Sequence, residues 1–283
     1  MKRLAPYLLI LPGGLWLLIF LVVPMVFMAS VSTQEGDTLN GFVQTFNLSI
    51  YGDVLAQYRT QFLRSVGYGL AGTAVSIALA YPVASWIAFK GGARKSTYLL
   101  LVLLPFFVSF VLRTVSWKFL LADDGLLLAP LKSAGLVSGD FHVLQTTVAV
   151  IGGLVYNYLP FMILPIYVAL ERVDPRVIEA AHDLYASGRA AFTRVVLPLS
   201  LPGVFAGVLM TFVPMTADYV NAGILGGPEN TMIGNIIQTE YLVNGDYPTA
   251  SALSFTLMAV MLIGIFAYAK ALGTENVLEA AAR

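Results

Sequence analysis

The chain has 283 residues, of which 58% are hydrophobic and 11% are charged, and its mean hydropathy is +0.80. A soluble domain carries about 25% charged residues, so this composition excludes an ordinary soluble fold and indicates a chain that exposes apolar side chains to membrane lipid. The 16 basic and 16 acidic residues balance, which points to no nucleic-acid partner, and the lack of Cys excludes disulfides, thiol catalysis and Cys-based zinc sites.

Six mainly apolar segments have the length of roughly 20 residues that crosses a bilayer, and they predict an all-α membrane protein with six transmembrane helices. The first is longer than the ~7–15 apolar residues of a signal peptide and is therefore interpreted as a span. Prolines inside the segments predict kinked helices that pack against each other. The segments are approximately residues 7–29, 65–89, 98–120, 146–170, 202–221 and 249–271.

The distribution of Lys and Arg predicts the orientation of the chain. If the N-terminus is cytoplasmic, eleven basic residues lie on the inner side and five on the outer side or its helix ends. Both termini are therefore predicted to be cytoplasmic. The outer segments 30–64 and 122–145 are expected to be long polar loops, whereas the inner connection 90–96 is short.

The inner segment 171–201 is long, charged and patterned. Asp174-Pro175 is typical of a helix start, because Asp caps free N–H groups and Pro suits the first helical position. Ser187-Gly188 predicts a break, and a second short helix over 189–196 is expected to end before Pro198. The apolar face of the first helix suits either packing on the bilayer or the bundle, or docking to a cytoplasmic partner. The residues alone leave both possibilities open.

The run from Glu179 through Leu184, continuing to Pro198, resembles the EAA loop of permeases of type I ABC importers. In that family the loop forms coupling helices that sit in a groove of the ATP-binding subunit. The resemblance implies a MetI-like permease fold and coupling to an ATPase through Glu179, Ala180, Ala181, Asp183, Leu184, Tyr185, Gly188, Leu197 and Pro198.

Tyr185 departs from the family pattern, which has Gly at this position. If the backbone there needs a positive φ, a non-Gly residue costs roughly 1–2 kcal/mol. Either the helix continues through Tyr185 and turns at Ser187-Gly188, or the docking geometry is altered.

Further segments are similar to the B-type permease of spermidine/putrescine importers. They are residues 104–117, 121–126, 158–165, 225–228 and 232–235. The resemblance implies half of a translocation pore in a bacterial inner membrane, with a polyamine as substrate. It also implies a second permease subunit, a dimer of ATP-binding subunits and an external solute-binding protein as partners. ATP and Mg²⁺ are then expected on the ATPase, and this chain is expected to hold no cofactor or metal and to be no enzyme.

The expected organisation has three parts. Residues 1–60 form the first transmembrane helix and an outer loop, residues 61–271 form the transmembrane domain with its coupling loop at about 171–201, and residues 272–283 form a cytoplasmic tail.

Asp218 is the most informative candidate for the translocation pathway, because a carboxylate within a span normally faces a cavity or a partner. It offers a cation a counter-charge, and Tyr219 beside it offers a cation–π face. The alternative is that Asp218 lies at the outer membrane edge, solvated or paired with Arg113. The remaining candidates for the pathway or gate are Pro214, Arg113, Trp117, Tyr156 and Asn157, each of which also suits snorkelling, interfacial or ordinary packing roles.

Three other functions compete with a polyamine permease. An importer of the same class for an opine, an amino-acid derivative or ferric ion has the same coupling loop. A self-sufficient secondary transporter needs ion-coupling groups at mid-membrane, where these spans are almost uncharged. An intramembrane enzyme is disfavoured because the chain contains neither HExxH nor GxSxG.

Overall fold

The computed structural model describes residues 5–271, with side-chain surroundings for residues 11–270. The expected cytoplasmic tail, and the basic residues Lys2, Arg3 and Arg283 used to predict the orientation, lie outside the described residues. The α-helices of the described chain are α1 (Ala5–Leu17), α2 (Val23–Val31), α3 (Ile50–Gln57), α4 (Arg59–Lys90), α5 (Lys95–Leu103), α6 (Phe110–Leu121), α7 (Leu128–Ser133), α8 (Thr147–Glu171), α9 (Pro175–Asp183), α10 (Gly188–Ala191), α11 (Leu197–Thr216), α12 (Val220–Leu225), α13 (Ile233–Thr239) and α14 (Tyr247–Ala271).

Wider π turns and tighter 3₁₀ turns connect several of these helices. The π turns are Leu18–Val22, Phe192–Val196 and Glu240–Asn244, and the 3₁₀ turns are Gly92–Arg94, Leu104–Phe107 and Pro228–Asn230. The π turn Leu18–Val22 joins α1 to α2 without a break.

Within the described residues, five helical runs are long and apolar enough to cross a membrane. A sixth crossing results if α5 and α6 are one span, which is bent by 88° at its centre. The predicted third span is therefore broken. The other five predicted spans overlap the continuous runs Leu11–Val31, Arg59–Lys90, Thr147–Glu171, Gly188–Thr216 and Tyr247–Lys270, although the predicted fifth span, residues 202–221, extends past the helix end at Thr216.

The described chain divides into two compact units, residues 5–59 with 236–260, and residues 60–235 with 261–271. In the first unit, the long run ending at Val31 exposes nearly every described side chain. The segment after it, expected as a loop, contains a hairpin of strands β1 (Gln34–Asp37) and β2 (Gly41–Gln44), paired antiparallel.

Two polar contacts order this first unit. Asp37 accepts hydrogen bonds from the N–H groups of Asn40 and Leu39 and so closes the hairpin turn. These bonds, led by that from Asn40, hold the pKa of Asp37 below its ordinary value. Tyr58, between α3 and α4, donates to Glu240 at 3.0 Å, and its burial, then this bond, raise the pKa of Tyr58 to about 12.

The core of the second unit lies where α4, α8 and α11 pack together. Fully buried apolar side chains such as Met162 and Ile166 of α8 meet Ala84 of α4 in its main cluster. Two glycines of α4 allow a close approach to α11: a Cβ at Gly72 would lie 2.9 Å from Met215 Sδ, and one at Gly69 would overlap the Thr216 hydroxyl. The small residues of α4 thus bring it against α11.

The predicted stop before Pro198 is wrong. α10, the π turn and α11 form one helical run from Gly188 to Thr216, and Pro198 lies inside it. The Leu197 N–H bonds to the Phe192 carbonyl, five residues back. This wider turn lets the helix accommodate a proline, which has no N–H to donate and which crowds a regular turn.

Candidate translocation site and coupling loop

The bend between α5 and α6 interrupts the helical hydrogen bonding of the third span. Pro105 lies in the 3₁₀ turn Leu104–Phe107, and Val108 and Ser109 follow with extended ψ angles of 141° and 136°. Pro105 has no N–H for a helical hydrogen bond, which favours an interruption at this point. Irregular backbone at membrane depth is tolerated where it is buried in protein or lines a water-filled space.

A cavity of about 750 Å³ lies beside this bend, within the second unit. Six of its fourteen lining residues are aromatic, one is basic and one is acidic. The lining residues are Phe106, Phe107, Val108, Ser109, Phe110, Arg113, Asn157, Tyr158, Phe161, Pro214, Ala217, Asp218, Tyr219 and Val220.

Asp218 is 5% exposed and follows the end of α11. Its Oδ1 accepts the Asn221 N–H at 2.7 Å, and its Oδ2 accepts from Asn221 Nδ2 at 3.1 Å and from the Tyr158 hydroxyl at 3.2 Å. Asp218 is therefore buried rather than solvated, and it is not paired with Arg113. The ion pairs within 4.0 Å in the described chain join Lys95 to Glu171 and Lys132 to Asp123.

A buried amide network extends this cluster to three helices. Asn157 on α8 donates its Nδ2 to Thr114 Oγ1 on α6 and to Asn221 Oδ1 on α12, both at 3.0 Å. All three side chains are at most 1% exposed, and Asn157 Oδ1 is enclosed without a hydrogen-bond partner. The network ties α6, the second half of the bent span, and α12 to α8.

Arg113 is 7% exposed and places its guanidinium carbon 4.7 Å from the centre of the Phe106 ring and 5.8 Å from that of Phe110. Its Nε and Nη1 atoms are enclosed and have no hydrogen-bond partner. The guanidinium thus makes cation–π contacts with two phenylalanines on the wall of the cavity.

The structure gathers five of the seven predicted pathway residues at this cavity: Asp218, Tyr219, Pro214, Arg113 and Asn157. Trp117 and Tyr156 do not line it and instead pack edge to face against each other, with ring centres 5.2 Å apart. Apart from Tyr219, the aromatic residues of the wall were not predicted from the sequence, and neither was Asn221. The spacing of Asp218 and Asn221, three residues apart at a helix start, was a usable signal for the latter.

The loop proposed for coupling begins with the helix start that the sequence predicts. Asp174 accepts the Arg176 N–H at 2.9 Å at the start of α9, and Ser187 accepts the Ala190 N–H at 3.3 Å at the start of α10. Ile178 packs against the main core cluster, and Ala181 is half-buried. The outward part of the loop presents Glu179, Ala180, Asp183, Leu184, Tyr185, Gly188 and Pro198 as exposed residues, and Leu197 is half-buried.

Tyr185 takes the conformation that suits glycine. α9 ends at Asp183, and Tyr185 has a φ of +60°. Its N–H bonds to the His182 carbonyl at 2.9 Å, and the Ala186 N–H bonds to the Ala181 carbonyl at 3.0 Å. These two bonds define a Schellman motif, in which the left-handed position is usually Gly. The alternative that the helix continues through Tyr185 is therefore wrong, and the Tyr185 ring is 98% exposed.

Comparison with known proteins identifies the family. Residues 77–271 match the model of the binding-protein-dependent transport system inner membrane component family. The chain belongs to this family. It is thus a multi-pass inner-membrane subunit of a transport system.

Its relatives include spermidine/putrescine permeases. The chain is 35% identical over 260 residues to the spermidine/putrescine transport system permease protein PotB of Haemophilus influenzae, covering 90% of each protein. It is 32% identical to PotB of Escherichia coli, over 90% of this chain and 94% of the relative.

A solved structure is similar over nearly the whole chain. A bacterial ABC transporter that imports the acidic polysaccharide alginate contains a chain that matches with a TM-score of 0.72, at 20% identity and 96% coverage of both chains. At this identity the likeness shows the fold, which is the all-α, MetI-like fold of ABC importer permeases.

Proposed function

We propose that this chain is one permease subunit of an ATP-binding-cassette importer for a polyamine such as spermidine or putrescine. The observation that carries the proposal is the aromatic cavity with a buried carboxylate beside the broken span, in a chain that resembles PotB over 90% of its length. In this proposal the cavity forms half of the translocation pathway, and a second permease subunit forms the other half.

The chemistry of the cavity suits an organic cation. Tyr158, Tyr219, Phe110 and Phe161 offer the faces of electron-rich rings, and Asp218 offers the negative charge. Ammonium groups bind to such faces, and the contact is worth about 2 kcal/mol or more once water is excluded. An acidic solute would make fewer favourable contacts with this wall, although Arg113 could pair with its carboxylate. An opine or other amino-acid derivative remains the second candidate substrate for this reason.

The proposed input of energy is the coupling loop. α9 and α10 present an exposed carboxylate at Glu179, with exposed apolar groups at Leu184 and Tyr185. We infer that these residues dock in a groove of an ATP-binding subunit, where ATP and Mg²⁺ bind. Closure of that ATPase dimer then moves α11, because the helical run from Gly188 to Thr216 continues from the loop to the wall of the cavity. The chain itself is proposed to hold neither nucleotide nor metal and to catalyse no reaction.

The proposed placement puts both termini and the coupling loop in the cytoplasm of a bacterial cell. Residues 61–271 are proposed as the pore-forming domain, and residues 1–60 as an added span with an outer segment. The exposed apolar run Leu11–Val31 then faces lipid or the second permease, and an external binding protein delivers the solute to the opposite side of the membrane.

Co-purification tests this assignment. The chain is expressed with the ATPase, second permease and binding protein encoded beside its gene, and the ATPase rate is measured in lipid nanodiscs. We expect the complex to purify intact and its ATPase to rise when binding protein loaded with spermidine is added. A chain that purifies without an ATPase, or stimulation by an opine and not by a polyamine, would contradict the proposal.

A further inference from the structure

Arg113 is buried in an unusual way. Buried polar groups normally have a hydrogen-bond partner, and an exception needs a physical explanation. Here two guanidinium nitrogens, Nε and Nη1, are enclosed by the protein and bond to nothing. The side chain is 7% exposed, so it does not snorkel to a polar surface as lysine and arginine at membrane edges do.

A neighbouring subunit does not readily supply the missing partner. The two unpartnered nitrogens are already covered by this chain's own residues, so no group from another chain can reach them without a rearrangement here. Asp218 shares the cavity but is not within ion-pair distance, and both its oxygens already accept hydrogen bonds from Asn221 and Tyr158. The contacts that hold the cation are therefore the faces of Phe106 and Phe110.

We propose that Arg113 is a tethered cation that occupies, in this conformation, the aromatic site through which a substrate ammonium group passes. The inference rests on the proposed function and names the gate of that same pathway. While the guanidinium lies on Phe106 and Phe110, the cavity carries one positive and one negative charge, and these two ring faces are closed to another cation. When it leaves, the cavity keeps Asp218 and gains two vacant rings.

The unpartnered donors favour such a departure. A guanidinium that leaves Nε and Nη1 unbonded is destabilised in this state, and it gains hydrogen bonds in any arrangement that brings it to an acceptor or to water. A transporter needs two arrangements that differ in their contacts, so that the ATPase can favour one over the other. Arg113 supplies one such difference at the site itself.

The test uses the complete importer in vesicles loaded with radiolabelled spermidine, without binding protein and without ATP. We expect Arg113→Met, which removes the charge and keeps an apolar chain, to raise passive efflux by at least about tenfold. Arg113→Lys keeps the cation and is expected to stay as tight as the wild type. Arg113→Met with Asp218→Asn is expected to return most of the way to wild-type efflux, because the cavity is neutral again.

A second probe separates this inference from the substrate assignment. The guanidinium ion has the chemistry of the displaced side chain, and its efflux tests the aromatic site whatever the natural solute is. Faster guanidinium efflux through Arg113→Met than through the wild type supports the tethered cation even if spermidine proves not to be a substrate. Equal leakage of Arg113→Met and Arg113→Lys would show general disruption of packing and overturn the inference, as would an Arg113→Met importer as tight as the wild type to both probes.

Discussion

Asn221 donates its backbone N–H to Asp218 at 2.7 Å and its side-chain amide to the same carboxylate at 3.1 Å. The carboxylate is thus held at the start of α12 by a residue one turn away. It keeps its place on the cavity wall without a cationic partner within 4.0 Å among the described residues. A carboxylate that is oriented but not neutralised suits a transient contact with a passing cation.

Asp218→Asn is expected to lower spermidine uptake by about tenfold or more, because hydrogen bonds to charged groups contribute about 1.5–3 kcal/mol and 1.4 kcal/mol is a factor of ten. Uptake is measured in vesicles, beside the ATPase rate stimulated by loaded binding protein, which we expect to persist. Asp53→Asn, an exposed carboxylate on α3, is the matched control and should transport normally. Wild-type uptake by Asp218→Asn would remove this residue from the pathway.

Two adjacent glycines of α8 test whether the position of Asn221 in the buried amide network is needed for transport. A Cβ at Gly153 would meet Leu225 Cδ1 at 2.5 Å and Asn221 Oδ1 at 2.8 Å, whereas one at Gly152 would meet nothing within 4 Å. Overpacking typically costs ~1–3 kcal/mol, while Gly→Ala in an open helical position gains up to ~1 kcal/mol. Gly153→Ala should therefore lower both thermal stability and uptake, and Gly152→Ala should lower neither. Equal behaviour of the two variants would show that Asn221 tolerates displacement.

Glu179→Lys tests the docking role of the coupling loop. Glu179 is exposed on α9, so reversing its charge should leave the fold intact and weaken attachment of the ATP-binding subunits. The measurement is the amount of ATPase that co-purifies and its stimulation by loaded binding protein. Glu229→Lys makes the same charge change at an exposed site outside the loop and should behave as the wild type. Full coupling in Glu179→Lys would count against docking through this face.

Tyr185→Gly distinguishes the effect of backbone strain in the coupling loop from the effect of the exposed Tyr185 ring. Glycine adopts the left-handed conformation freely, so the variant should relieve roughly 1–2 kcal/mol of strain and be at least as thermally stable as the wild type. It also removes a fully exposed aromatic group, and we expect about tenfold weaker ATPase attachment if that group contacts the partner. Tyr185→Val, which is β-branched and strained at positive φ, should be less stable. A Tyr185→Gly variant that is less stable than the wild type would contradict the conformational argument.

The spans and the caps of the coupling loop were predictable from sequence, because each depends on local composition. About 20 apolar residues are enough to predict a span, and Asp174-Pro175 is enough to predict the start of α9. The π turn before Pro198 was not predictable in this way. It depends on the helical run from Gly188 to Thr216 continuing through Pro198, which has no N–H to donate.

The site was only partly predictable, since it depends on which helices meet. Asp218 and Arg113 were found because charges are rare in spans. The alternative that Asp218 pairs with Arg113 was wrong, because Asn221 and Tyr158 donate to the carboxylate instead. Phe106 and Phe161 carry no sequence signal that distinguishes a pathway wall from ordinary packing, and the 88° bend brings the first of them to the cavity.

The most direct test of the central claim is ATP-driven uptake of radiolabelled spermidine by the reconstituted importer. The vesicles contain this chain, the second permease and the ATPase, and the binding protein is added outside. We expect accumulation that requires ATP, binding protein and this chain. Excess putrescine should reduce it, and an excess of an opine should not. No accumulation of polyamine, with ATP-driven uptake of an anionic or zwitterionic solute instead, would contradict it.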